Sequence, residues 1–66
     1  MNNLVFRPSS IIGLKEKDAK MVVEKNNLFW RITKRDNQYL LSTNTVRDDR
    51  VSMHIDGDEV VDAYIG

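Results

Sequence analysis

Two segments of this chain alternate in the manner of β-strands, and what lies between them constrains the fold most. In Leu28-Phe29-Trp30-Arg31-Ile32-Thr33, rich in strand formers, Leu28, Trp30 and Ile32 share one face and Phe29, Arg31 and Thr33 the other. In Val51-Ser52-Met53-His54-Ile55, the inward set is Val51, Met53 and Ile55. Residues 36–50 carry a turn signal at Asp36-Asn37, then a polar run with no helical period. The connection is therefore a long irregular loop, a feature that in compact domains is either functional or disordered.

The flanking segments complete the expected order. Over residues 14–26 the period is helical, with Ala19, Val22 and Val23 on one stripe at i, i+3 and i+4. Glu16 and Asp18 suit the positive end of that helix and Lys25 the negative end, while Asn26-Asn27 ends it. Lys15 stands where a Ser or Thr cap would be expected, so the start is poorly signalled. Asp56-Gly57-Asp58 reads as a hairpin turn and residues 59–65 as the last strand. Residues 1–10 read as an extended N-terminal arm. In it Pro8 biases Arg7 away from helix, Ser9-Ser10 suits a turn, and Leu4 and Phe6 alternate as in a short edge strand. Residues 11–66 form one α+β domain, a helix packed on a small mixed β-sheet. Its expected core is Val22, Val23, Trp30, Ile32, Val51, Met53 and Ile55.

At 66 residues without a cysteine, the domain must rely on packing and hydrogen bonds alone. Neither a disulfide framework nor a thiolate site is open to it. The start lacks the apolar run and cleavage site of a signal peptide, and no apolar stretch approaches the roughly 20 residues that cross a bilayer. The expectation is a cytoplasmic protein without membrane contact. Residues 1–35 hold eight Lys/Arg against three Asp/Glu, and residues 36–66 hold two against seven. No basic run exceeds Lys34-Arg35, so this asymmetry describes a solvated face and argues against a nucleic-acid partner.

Catalytic chemistry has little to work with. His54 is a strand histidine, and Ser42 and Ser52 have no His and Asp arranged with them that the sequence supports. Asp48-Asp49 and Asp56-Gly57-Asp58-Glu59 do not follow the alternating ligand pattern of a calcium loop. Trp30 and Phe29 lack the basic interleaving of a base-stacking platform. The expectation is no enzyme, no catalytic residue, no metal and no cofactor. What stands out is the polar run ending in Arg47 and Arg50. Each guanidinium can donate up to five hydrogen bonds in a fixed fork, enough to fasten an exposed loop from beneath.

Ile11-Ile12-Gly13, then Asp18-Ala19-Lys20 in a helix, a strand over residues 28–35, and Thr43-Asn44-Thr45-Val46-Arg47-Asp48-Asp49-Arg50-Val51 follow one another in a familiar order. With Ile55-Asp56 and Ile65-Gly66 closing, the layout resembles the potato inhibitor I family of serine-peptidase inhibitors, small bacterial members included, over residues 11–66. The resemblance implies that the Trp30 and Met53 strands are parallel neighbours, so the long loop crosses the sheet's length and is exposed. It implies a reactive loop of Leu41, Ser42, Thr43, Asn44, Thr45 and Val46, with Arg47 and Arg50 as loop support. Asn44 would precede the scissile bond and Thr45 follow it. Thr43 would offer the hydroxyl braced from below, Arg50 would be the main brace, and Arg47 would lie on the leaving side. Ser52 stands where plant members often carry a further bracing arginine, and Asn44 where an apolar residue is usual.

The function so implied is a protein-binding module that presents residues 41–47 to the cleft of a subtilisin- or chymotrypsin-like serine peptidase. The alternative is a non-inhibitory intracellular or virus-encoded interaction protein that uses the same fold for another protein partner.

Overall fold

The computed structural model describes residues 6–40 and 45–66. A 3-10 turn at Pro8–Ile11 leads to helix α1, Glu16–Lys25, and then to strands β1, Phe29–Arg35, β2, Gln38–Tyr39, β3, Arg50–Asp56, and β4, Glu59–Ile65. The sheet runs β2-β1-β3-β4, with β1 and β3 parallel and both outer pairs antiparallel. This is a small α+β domain of one helix and a four-stranded mixed sheet. Within the expected arm, the turn suited to Ser9-Ser10 is a 3-10 turn that begins at Pro8. Proline at the first position presets φ for the turn, and Ser10 donates both its N–H and its hydroxyl to the Arg7 carbonyl. Leu4 lies outside the described residues, and Phe6 packs against the core.

Helix α1 begins without a side-chain cap at Lys15, as the sequence suggests. Its first orphan donor is met from a distant part of the chain: the Glu16 N–H donates to the Asp58 carbonyl at 2.9 Å. Beside it, Gly13 donates to the Val60 carbonyl and Val60 to the Leu14 carbonyl, so the lead-in pairs with the start of β4. Gly13 has a φ of +96°, a conformation that glycine adopts without steric cost. The far end is a Schellman closure. Asn27, with φ at +60°, donates to the Glu24 carbonyl, and Leu28 donates to that of Val23.

Both tight turns have two central residues with positive φ: Asp36 (48°) and Asn37 (66°), then Gly57 (58°) and Asp58 (68°). That backbone matches the right-handed twist of the flanking strands. The first turn adds something the sequence reading did not include. It folds the chain back as β2 before the long loop begins, with Lys34 opposite Tyr39.

The core comprises Ile11, Ala19, Val23, Val51, Met53, Ile55 and Val60, all essentially inaccessible. Of the expected set, Val22, Trp30 and Ile32 are only partly buried and pack around it. The Trp30 indole needs a partner for its N–H and finds it in the Glu24 carboxylate at 2.9 Å, near solvent. Ile11 and Val60 join the core where residues 13–15 pair with the start of β4.

A bulge in β1 corrects the expected faces. The register passes from Ile32 opposite Met53 straight to Lys34 opposite His54, leaving Thr33 unopposed. Thr33, expected on the outer face, is 9% exposed, and its hydroxyl donates to the Met53 carbonyl at 3.4 Å. Beyond the bulge Arg35 pairs with the inward Ile55 and so turns toward the helix. There it grips both Glu16 carboxylate oxygens, at 2.5 and 3.0 Å, while Lys20 reaches one of them at 2.8 Å.

Those bonds, the Arg35 fork first and Lys20 second, hold the Glu16 carboxyl at about 2, from an ordinary 4.5. A depressed carboxyl stabilises the fold fully above its unfolded value, and this contribution fades as pH falls from 4.5 toward 2. The Arg35 side chain is 41% exposed, so solvent screening reduces the contribution to about 1–2 kcal/mol. Urea unfolding of the parent and Glu16→Gln should show that gap at pH 7 and its disappearance near pH 2. A gap independent of pH would mean that the pair does not carry it.

Candidate functional site

The parallel pairing of β1 with β3 sets the site. The chain leaves β2 at Tyr39 and enters β3 at Arg50, beside the start of β1. The end of this connection is pinned where the Phe29 N–H donates to the Asp49 carbonyl at 2.8 Å. Arg50 then opens β3 with its side chain at the foot of the loop.

Arg50 reaches two main-chain oxygens. One terminal nitrogen, Nη2, donates to the Thr45 carbonyl at 2.5 Å, and Nε donates to the main-chain oxygen of Gly66 at 3.0 Å. Gly66 returns its own N–H to the Arg50 carbonyl at 2.9 Å, so the two residues are locked by backbone and side chain together. The Arg50 guanidinium is held below its ordinary value, first by desolvation and then by the like charges of Arg31 and Arg47. It keeps its charge at any physiological pH.

Arg47 works differently. Nε and Nη2 grip the two Asp49 oxygens, each at 2.8 Å, and the guanidinium carbon sits 4.8 Å from the centre of the Phe29 ring. This fork lowers the Asp49 carboxyl and raises Arg47. Arg47 thus ties the end of the loop to Asp49 and to the Phe29 ring on β1. Thr45 and Val46 are exposed, Val46 at 83%. Leu41, Ser42, Thr43 and Asn44 lie outside the described residues.

Sequence reasoning missed three contributors. Ser52 is fully buried and donates to the main-chain oxygen of Gly66 at 3.0 Å. Arg31, its partner in the parallel register, donates Nε to the Ser52 hydroxyl at 2.8 Å. Phe29, 57% exposed, gives Arg47 an aromatic platform. Alternation had put Phe29 and Arg31 on the outer face. The register that aligns Arg31 with Ser52 is a property of the assembled sheet, and no local signal carries it.

Elsewhere, His54 Nδ1 lies 3.9 Å from an Asp62 oxygen, beyond hydrogen-bond reach, with its ring edge-on to Tyr64. Among the described residues no group of three or more His, Cys, Asp or Glu is placed to hold a metal ion. No helix among them is long and apolar enough to cross a membrane. No family model, no curated protein and no solved structure matches this chain.

Proposed function

We propose that this chain is a protein-binding module of the potato inhibitor I type, which presents residues 41–47 to the cleft of a subtilisin- or chymotrypsin-like serine peptidase. The observation that carries the reading is the hold of Arg50 on the Thr45 carbonyl, at the foot of the loop that leads from β2 into β3. An extended, braced loop pairs main chain to main chain with a substrate cleft, and its order is established before binding.

The same hold accounts for slow turnover. If the peptidase serine attacks the Asn44 carbonyl, the departing group is the Thr45 amine. Arg50 retains Thr45 by its carbonyl after the bond breaks, so the amine stays beside the acyl-enzyme and religation outruns release. Asn44 fills the specificity pocket in this scheme, and a polar amide gains little from apolar burial there.

Asn44→Leu or Asn44→Met should therefore tighten inhibition of such an enzyme. The added apolar burial contributes about 1–2 kcal/mol, roughly a 5- to 30-fold lower inhibition constant. Titration of both variants and the parent against subtilisin-, chymotrypsin- and elastase-like enzymes decides the matter. Constants unchanged by substitution would show that residue 44 enters no pocket. A complete lack of inhibition by all three proteins would return the loop to a non-inhibitory protein partner.

A further inference from the structure

We propose that Phe29, with the Arg47 guanidinium against its ring, is a second contact for the partner of the loop, packing on an apolar rim at the leaving-group side of a peptidase cleft. The inference rests on the reading of residues 41–47 as a loop received by such a cleft. A single exposed hydrophobe is ordinary on a protein surface, and this one differs in being held beside the loop. Phe29 opens β1, is 57% exposed, and is absent from the partly buried hydrophobics that pack around the core. Its N–H donates to the Asp49 carbonyl at 2.8 Å, and in the parallel register it stands opposite Arg50. The Arg47 guanidinium carbon lies 4.8 Å from the ring centre, and Arg47 is itself fixed by both Asp49 carboxylate oxygens, each at 2.8 Å. The fold thus holds a large apolar ring beside the loop and near solvent without using it in the core.

Position and charge name the occupant. Arg47 belongs to the segment presented to the cleft, and Val46 next to it is 83% exposed, so a partner that covers this end of the loop comes within reach of the ring. The two bonds to Asp49 satisfy the Arg47 charge within the chain, although both side chains stay partly exposed, at 41% and 44%. A partner therefore has no cation to neutralise here. What it meets is the apolar ring and the flat guanidinium lying against it. Aromatic rings and arginines carry a disproportionate share of the energy of protein interfaces, and an anchor placed before binding loses little freedom. The matching surface is apolar rather than acidic.

Subtilisin and chymotrypsin are the probes, used with the full chain. Phe29→Ala should raise the inhibition constant by about 5- to 20-fold, the effect of losing one aromatic anchor. That factor should be the same at low and high salt, since no unpaired charge takes part. Cleavage within residues 41–47 by thermolysin, a metallopeptidase outside the proposed target class, should stay as slow as in the parent. The bonds of Arg50 to Thr45 and of Arg47 to Asp49 do not pass through the ring. p-Benzoylphenylalanine at position 29 should photo-cross-link to the bound peptidase, and the same group in place of Met21, 60% exposed on α1, should not. Inhibition by the parent with an unchanged constant in Phe29→Ala would overturn this contact and leave the inhibitor reading standing. Faster loop cleavage in step with weaker inhibition would make Phe29 a support of the loop, and a salt-dependent factor would make the Arg47 charge the contact; either result overturns the proposal. No inhibition of either enzyme by the parent would overturn both readings together.

Discussion

Met53→Ala is expected to lower the unfolding free energy by about 3–4 kcal/mol, the largest single effect in this domain. Met53 lies in the middle of β3, wholly inaccessible, opposite Ile32 on one side and Ala63 on the other. Truncation removes apolar contacts from both neighbouring strands and leaves a cavity the sheet cannot close without breaking pairing. A domain of this size has total stability of only several kcal/mol, so most of the margin goes. Trp30→Ala should cost less, about 1.5–2.5 kcal/mol, because the indole is partly exposed and its N–H works at the surface against Glu24. Urea unfolding of the two variants side by side checks the order. A lower midpoint for Trp30→Ala would place the centre of the core at the helix–β1 contact instead.

Arg50→Ala should separate loop order from global stability. The substitution removes two charge-assisted hydrogen bonds, to Thr45 and to Gly66. Together they order the loop by about 2–3 kcal/mol, so cleavage within residues 41–47 should accelerate roughly 30- to 150-fold. The unfolding free energy should fall by only about 1 kcal/mol, because the Gly66 N–H still donates to the backbone of residue 50. Limited proteolysis read by mass spectrometry, beside urea unfolding, gives both numbers. Loss of the cooperative transition with unchanged loop cleavage would make Arg50 a structural residue and end the bracing account.

Local chemistry carries its message in the sequence, and register does not. Residues 59–65 and the Gly57 turn were legible because a two-residue loop with positive φ fixes the pairing of the strands it joins. The inward run of Val51, Met53 and Ile55 was legible for the same local reason, a period of two. The bulge at Thr33 was not, since an unopposed residue exists only when a partner strand sets the count. That one residue turned Arg35 onto the helix and created its pair with Glu16. At the site, Arg50 could be singled out from its place after a polar run. Arg31 could not, because its tie to Ser52 crosses 21 positions of sequence and depends on the β1–β3 register. Val60 was missed because its burial comes from the pairing of residues 13–15, a stretch with no strand pattern of its own.

The bond from the Glu16 N–H to the Asp58 carbonyl has a consequence in time as well as in space. A helix of ten residues is marginal in water by itself, and this one has no side-chain cap at its start. Its first turn is completed by a hairpin that the ribosome delivers more than thirty residues later. The early part of the nascent chain therefore has no settled helix to wait in. Helix and final hairpin must condense in one step, and loop closure over that span, rather than helix growth, sets the pace of folding.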